Sequence, residues 1–189
     1  MEYISKIKAL ALKSNIKIIK EKFGEEAFHR VIEQLNETDK SIVTAPIISS
    51  YQWIPLDTFL NLYEAVAKVL NNGDYSIITE IAGLAAEKEL SGIKRVFLAI
   101  ASVQYVMKGT RIFRSYYNSG KTGVKVIGPG KMVMTVTGFQ EKHRLIELHI
   151  FGWTKRALEI GGAKFIRAEI TKSISEKLGY FEMFGVFET

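Results

Sequence analysis

The spacing of the apolar residues changes once along this chain, and that change limits the folds the chain can adopt. Up to about residue 120, apolar side chains recur every three or four positions, which predicts amphipathic helices. From Lys121 onward apolar and polar residues alternate, and Gly128-Pro129-Gly130 supplies a tight turn between two alternating runs. We therefore predict a β-hairpin, whose alternating apolar residues are Val124, Val126, Met132, Met134 and Val136.

A helix and two further strands are expected after the hairpin. The helix has a four-turn apolar stripe and ends at Gly161-Gly162. The stripe consists of Ile146, Ile150, Trp153, Ala157 and Ile160. A third strand is predicted by the alternation of Ile166, Ala168 and Ile170, and a fourth, apolar on both faces, from Tyr180 to Phe187.

The predicted order of elements is helices followed by β-β-α-β-β. Strands that come after a run of helices, without β-α alternation, favour an antiparallel sheet with helices against one face. We therefore predict an α+β fold with a four-stranded antiparallel sheet. A chain of 189 residues is suited to a single domain, with a helical part over 1–120 and a sheet part over 121–189.

Helix boundaries in the first part follow from capping residues and turn residues. Pro55 suits the first turn of a helix that Asn71-Asn72-Gly73 ends, and the helix after Asp74 places Glu87 to Glu89 on its outer side. A segment from Ile93 to about Asn118 is expected as one helix or two. Helical spacing at the start of the chain predicts a helix that includes Ile4, Ile7, Leu10 and Ala11.

Composition removes several classes of function. The chain has no cysteine, which excludes thiolate metal sites, cysteine nucleophiles and disulfides. No run approaches the roughly 20 apolar residues of a membrane span, and lysines interrupt the N-terminal segment where a signal peptide would need an apolar stretch. The net charge of +6 comes from scattered lysines, which favours a solvated surface over a nucleic-acid-binding face. We expect a cytoplasmic protein with no membrane span and no nucleic-acid partner.

Several stretches of the sequence resemble known proteins. They are residues 53–59, 90–97, 113–120, 152–153 and 157–159, together with 171–173 and 179–182. From about Ile7 to Glu188 the chain resembles an uncharacterised family of myxobacterial paralogues, and its second half is similar to the 4-vinyl reductase domain. This resemblance implies the fold shared by the heme-NO-binding domain and the TRAPP subunits, in which helices and a four-stranded sheet enclose a ligand pocket. Thiols of the 4-vinyl reductase pattern are missing near Ser173, so no metal is expected there.

The segment Tyr117-x-Ser119-x-Lys121 is similar to the Tyr-x-Ser-x-Arg sequence that holds heme propionates in the heme-binding relatives. A lysine can pair with an acidic group but lacks the bidentate geometry of arginine. The same residues are also consistent with an ordinary turn at the end of a helix. The resemblance places an iron-binding histidine on the preceding helix, whereas no histidine lies between residues 30 and 142. We therefore expect no heme and no other cofactor.

Aromatic residues at helical spacing form either a pocket wall or plain core. The series is Phe97, Tyr105, Phe113, Tyr116 and Tyr117, with Trp53 and Trp153 as possible additions. Of the three histidines, His143 is expected in solvent and His149 partly buried with a hydrogen bond. Enzyme activity is unsupported, because the sequence contains no nucleophile elbow, zinc-binding His-Glu-x-x-His or phosphate loop.

Three functions are consistent with these observations. The first is a non-enzymatic sensory or regulatory domain that binds a small, largely apolar ligand, with or without an acidic head, and signals to a partner protein. The second is an interaction scaffold, dimeric, whose pocket is filled by its own side chains, and the third is a tetrapyrrole-related enzyme. The expected ligand-binding residues are Trp53, Tyr105, Phe113, Tyr117, Ser119, Lys121 and Trp153, with no catalytic and no metal-binding residue. A homodimer is expected, because the second face of the last strand needs a cover.

Overall fold

Helices occupy most of the first part of the chain in the computed structural model, which describes residues 4–90 and 112–188. The helix that begins after Pro55 ends at Leu70, followed by the Asn71-Asn72-Gly73 turn, as predicted. Residues 112–116 are also helical. The remainder of the segment from Ile93 lies outside the described residues. The five helices named here are α1 (Ala9–Phe23), α2 (Glu25–Ile32), α3 (Glu37–Val43), α4 (Leu56–Leu70) and α5 (Ser76–Glu89).

Two short strands interrupt the helical part, and the sequence analysis missed both. Strand β1 (Lys6–Lys8) pairs antiparallel with β2 (Trp53–Pro55), so the predicted helix at the start of the chain begins only at Ala9. Ile7 is fully buried in this strand. A three-residue strand is too short to show alternation, which is why its apolar residue was assigned to a helical stripe.

The sheet has four antiparallel strands, as predicted. Its strands are β3 (Lys121–Gly128), β4 (Lys131–Thr137), β5 (Phe165–Lys172) and β6 (Tyr180–Phe187), and their order in the sheet is β3-β4-β6-β5. The β3–β4 hairpin has the predicted turn. Alternation also assigns the buried face of β4 correctly, because Met132, Met134 and Val136 are all buried.

Strand β5 departs from simple alternation. Ile166 was expected on the same face as Ala168 and Ile170, but it is 68% exposed. The pairing with β6 skips this residue, since Phe165 pairs with Phe187 and Arg167 with Val186. Ile166 is thus the extra residue of a β-bulge, which changes the side to which the chain points and cannot be recognised from alternation alone.

The long helix after the hairpin, α6 (Arg144–Ile160), lies between α5 and the sheet. A 3-10 turn over Glu141–His143 precedes it, and a second one, Ile174–Glu176, separates β5 from β6. On the α5 side, the two backbones approach so closely that a Cβ atom on Gly152 would stand 2.3 Å from the carbonyl oxygen of Thr79. On the other side α6 covers the inner face of the sheet.

Candidate functional site

A cavity of about 80 Å³ lies between α6, the sheet and residues 112–117. Among the described residues these three parts of the chain supply its walls, and nearly all of the wall is apolar. The described residues that line it are Ile112, Phe113, Tyr116, Tyr117, Thr122, Val124, Met132, Met134, His149, Ile150, Trp153, Thr154, Ala157 and Leu158. Two of the α6 residues that line it, Thr154 and Ala157, have small side chains.

Three of the residues expected in the ligand site come together at this cavity. Phe113, Tyr117 and Trp153 all line it, and the rings of Phe113 and Tyr117 pack with centroids 4.7 Å apart. Phe113 and Tyr117 are also part of the buried core. The pocket wall and the plain core are therefore not exclusive alternatives, because these rings serve as both.

Trp53 is placed elsewhere. It lies on β2, is 37% exposed, and packs under the Lys8 ammonium group at 3.8 Å from the ring centroid. It is not among the described residues that line the cavity. Tyr105, also expected in the site, lies outside the described residues.

The Tyr117-x-Ser119-x-Lys121 segment connects residues 112–117 to β3. The Ser119 hydroxyl is buried and has no hydrogen-bond partner among the described residues. Lys121 is exposed. Its neighbour Thr122 lines the cavity, so the alternation of a strand directs Lys121 to the opposite face of β3. Gly120 has a φ of +83°, and a Cβ there would be 2.8 Å from the Phe139 ring, so this turn requires glycine.

Glu89 joins two of the cavity-lining rings, a role that the sequence did not reveal. It lies at the end of α5, where helical spacing assigned it to the outer side. Its Oε2 atom accepts hydrogen bonds from the Tyr116 hydroxyl at 2.6 Å and from Trp153 Nε1 at 3.0 Å. One carboxylate therefore links α5, residues 112–116 and α6 at the edge of the cavity.

A buried chain of hydrogen bonds reaches the cavity from the helical part. Asn15 on α1 donates from Nδ2 to the Ala11 carbonyl at 2.7 Å, and its Oδ1 lies 2.6 Å from the Tyr63 hydroxyl. The same hydroxyl lies 2.7 Å from Nδ1 of His149, which lines the cavity. The expectation of a hydrogen-bonded His149 is confirmed, although the ring is fully rather than partly buried. Burial lowers the pKa of His149 to about 3.

The expectation that His143 is exposed is wrong. The ring is only 2% exposed, and Nε2 lies 3.3 Å from Oδ1 of Asp57 at the start of α4. Its polar sequence neighbours suggested solvent, but the 3-10 turn directs this side chain inward against Phe139. Burial, the dominant effect, lowers the pKa of His143, and Asp57 partly opposes it.

A second space, a groove of about 550 Å³, lies on the far side of the helical part between α1, α2 and residues 42–48. Its lysines are already engaged. Lys13 donates to the Ile48 carbonyl at 3.2 Å, and Lys20 pairs with Glu25 at 2.9 Å. These lysines thus have partners within the groove, and none of the described residues expected in the ligand site lines it.

Two features of residues 4–90 and 112–188 bear on the class of site. No group of three or more histidine, aspartate or glutamate side chains is arranged to hold a metal ion in that part of the chain. None of the helices described there has the length and apolar character needed to cross a bilayer.

The α+β architecture, with helices and a four-stranded antiparallel sheet around an internal cavity, is that of the H-NOX fold, the heme-NO-binding fold expected from the sequence. An Fe(II) unliganded H-NOX protein from K. algicida aligns with a TM-score of 0.66 and 12% identity, over 97% of each chain. An H-NOX protein from S. oneidensis in the Fe(II)NO ligation state also gives 0.66, at 8% identity, over 97% of this chain and 100% of the other.

An oxygen-binding H-NOX domain related to soluble guanylate cyclases, solved as its oxygen complex, aligns with a TM-score of 0.60 and 14% identity over 97% of this chain and 96% of the other. These identities establish the fold alone. No protein-family model matches the sequence, and no curated protein matches it either.

The residues present do not fit the heme that this fold holds in its relatives. Sites for drug-sized ligands enclose about 300–1,000 Å³, far above the 80 Å³ available here. The only histidine among the described cavity-lining residues is His149 on α6, and its Nδ1 is engaged with Tyr63. The segment between residues 30 and 142, where the resemblance places the iron ligand, contains no histidine.

Proposed function

We propose that this chain is a non-enzymatic sensory or regulatory domain that binds a small, largely apolar ligand and passes occupancy of its site to a partner protein. The observation that carries the proposal is the apolar cavity between α6 and the sheet. Solved proteins of the same fold include an oxygen complex and an Fe(II)NO state. The resemblance to the 4-vinyl reductase domain supports the same class of function.

The volume of the cavity restricts the ligand. An apolar cavity of about 150 Å³ admits benzene, and this cavity has roughly half of that volume. The ligand is therefore a molecule of a few heavy atoms, or the end of a longer one. A tetrapyrrole substrate would require the walls to separate widely, which makes the enzyme hypothesis the weakest of the three.

An acidic head on the ligand would be bound at the Tyr117-x-Ser119-x-Lys121 segment. Ser119 is not one of the described residues that line the cavity, but its buried hydroxyl has no partner among the described residues, and a head group that extends to this turn would satisfy it. The Tyr117 hydroxyl has no hydrogen bond to a described residue, and Tyr117 lines the cavity. Lys121 is exposed on the opposite face of β3, so it would contribute its charge only from the rim.

The most informative experiment is native mass spectrometry of the protein purified from its own host. We expect a retained small molecule that increases the mass of the folded protein and is lost on denaturation. Matched samples of the Thr154→Phe variant, in which a ring would project into the space between α6 and the sheet, should carry no such molecule. A wild-type protein without any bound species, in spectra that preserve other weak complexes, would contradict the proposal.

The head-group assignment can be tested with butyrate and its neutral amide, butyramide. A charge-assisted hydrogen bond contributes roughly 1.5–3 kcal/mol, so Lys121→Ala should weaken butyrate about tenfold and leave butyramide unchanged. Ser119→Ala should weaken both. Phe113→Ala, which removes a wall, should weaken both and also cost about 3–5 kcal/mol of folding stability. If Lys121→Ala binds butyrate with wild-type affinity, Lys121 does not bind the head group and is an ordinary solvated surface residue.

The scaffold hypothesis is favoured by one observation, the small volume of the cavity. In that case the protein would be a dimer whose cavity stays empty. We propose a homodimer under either hypothesis, because Phe184 and Val186 of β6 are only half-buried on the outer face of the sheet. Sedimentation at tens of micromolar should show twice the 21.3 kDa of one chain. A single species of one chain at that concentration would exclude the dimer.

A further inference from the structure

The chain of hydrogen bonds from Asn15 through Tyr63 to His149 determines which nitrogen of the imidazole carries its proton. Asn15 Nδ2 donates to a backbone carbonyl, which fixes the orientation of the amide and leaves Oδ1 facing Tyr63. An amide oxygen can only accept, so the Tyr63 hydroxyl must donate its single proton to Asn15. Burial raises the pKa of Tyr63 well above its usual value, so the hydroxyl keeps that proton.

The tautomer of His149 follows from this assignment of hydrogens. Because the Tyr63 proton is directed to Asn15, the Tyr63 oxygen can only accept from Nδ1 of His149, 2.7 Å away. Nδ1 therefore carries a hydrogen. The ring is neutral at any physiological pH, since burial lowers its pKa to about 3. A neutral imidazole with hydrogen on Nδ1 has an unshared electron pair on Nε2.

The second nitrogen of the ring borders the cavity. Within the described part of the chain, no residue forms a hydrogen bond with Nε2. His149 is one of the cavity-lining residues, and because its Nδ1 faces Tyr63, Nε2 is the ring nitrogen available to the cavity.

We infer that His149 Nε2 is the hydrogen-bond acceptor of the ligand site, and that it selects small apolar molecules with a neutral N–H or O–H donor. This inference rests on the proposed function and specifies its ligand class. Tyr63 is a positioning residue, because it holds the tautomer without touching the cavity. The surrounding wall is almost wholly apolar, so a donor that enters finds few partners other than this nitrogen; among the described residues, the alternatives are the hydroxyls of Thr154, Thr122 and the cavity-lining tyrosines.

Pyrrole and furan are suitable probes, because they are five-membered rings of nearly the same shape and only pyrrole has an N–H donor. We expect wild-type protein to bind pyrrole about threefold to tenfold more tightly than furan, as one neutral hydrogen bond predicts. Binding is followed by the NMR shifts of the Met132 and Met134 methyl groups, which line the cavity. The Nε2 resonance should move with pyrrole and stay in place with furan.

Three variants separate the contributions. His149→Phe removes the acceptor, and Tyr63→Phe removes the oxygen that holds the hydrogen on Nδ1, so both should bind pyrrole and furan equally. Tyr63→Phe should also move the hydrogen to Nε2, which a structural role alone would not do. Thr154→Val is the matched control on α6, and it should keep the preference for pyrrole.

The possible outcomes are distinguishable. Equal affinity of wild-type protein for pyrrole and furan overturns the role of His149 and leaves the proposed cavity function in place. Loss of the preference only in Thr154→Val assigns the acceptor to threonine instead. If neither probe binds, the proposed function and this inference both fail. The tautomer is measured on wild-type protein alone by long-range proton–nitrogen correlation, and hydrogen on Nε2 would overturn the inference without any variant.

Discussion

The two sides of α6 are packed in opposite ways. Toward α5 the helix has no spare room, because Gly152 lies against the backbone of Thr79. Toward the sheet the same helix leaves a cavity beside Thr154, Ala157 and Leu158. A single helix thus has a close contact between backbones on one side and an unfilled space on the other.

This difference shows that the cavity is not a sign of loose packing in general. A close contact on one side fixes the helix axis, so the distance from α6 to the sheet cannot shrink to fill the space. The cavity then depends on which side chains project toward the sheet. A ligand site of this kind can change its specificity by substitution without any movement of the framework.

The largest effect is expected on the closely packed side. Gly152→Ala should cost about 2–3 kcal/mol of folding stability, since the added methyl group overlaps the Thr79 carbonyl and the two helices must separate. Urea unfolding measures the loss. Gly83→Ala on α5 is the matched control: a Cβ there is 3.7 Å from its nearest neighbours, so alanine should stabilise the helix by about 0.5–1 kcal/mol. Equal effects at the two glycines would contradict the comparison.

The second effect is a dependence of folding stability on pH, which comes from His149 on the side of α6 that borders the cavity. The pKa of His149 is about 3 in the folded protein against 6.5 in the unfolded chain. The unfolded chain therefore binds one more proton between these values, and stability present above pH 6.5 is lost as the pH falls. The slope is about 1.4 kcal/mol per pH unit, which amounts to about 2 kcal/mol between pH 6.5 and 5.

Denaturation of His149→Phe over the same range is the control for this prediction. The carboxylates titrate in both proteins, and His143, whose pKa is also lowered, adds a slope of the same sign to both. Only the difference between the two curves belongs to His149. Parallel curves would mean that His149 takes up a proton in the folded protein as readily as in the unfolded chain, in conflict with a buried neutral ring.

A smaller effect is expected where the two sides meet, at Glu89. Glu89→Ala should cost about 1.5 kcal/mol, because the Trp153 N–H and the Tyr116 hydroxyl both lose their charged acceptor. Glu87→Ala, two residues earlier, breaks only a part-exposed ion pair with Arg156 and should cost at most about 0.5 kcal/mol. Thermal unfolding of the two variants gives the comparison. If Glu87→Ala is the more damaging change, the cavity edge is not held by Glu89.

The sequence predicted the parts of this structure that repeat a local pattern over several residues. Strands β3, β4 and β6 and helix α6 have enough residues for alternation or helical spacing to identify them. The three-residue strands β1 and β2 are too short for alternation to identify them. In β5, the bulge at Ile166 breaks the alternation from which the buried face of the strand was predicted. The aromatic residues 113, 117 and 153 were expected in a pocket through the resemblance, and the cavity is lined by them.

The polar contacts of the site could not be read from sequence. Asn15 and Tyr63 are separated by 48 positions, and Tyr63 and His149 by 86. Only the folded chain brings them together, and no spacing rule connects them. The rule that charged residues lie on the outer face of a helix assigned Glu89 to solvent, and the rule for a polar first turn did the same for His143. Both side chains are instead placed by a tertiary contact, Glu89 with Trp153 and His143 with Asp57.

The last prediction is that adding hemin changes nothing. The protein should be colourless as purified, and hemin should produce no histidine-ligated Soret band. An iron–histidine bond needs an unshared pair on an imidazole, and among the described cavity residues only Nε2 of His149 could supply one, in a space of about 80 Å³. To admit a porphyrin, α6 would have to move away from the sheet, which its contact with α5 opposes. Absorbance titration of wild-type protein and His149→Phe is the measurement. A Soret band in the wild type that is lost in this variant would show that the cavity opens far more widely than its packing indicates.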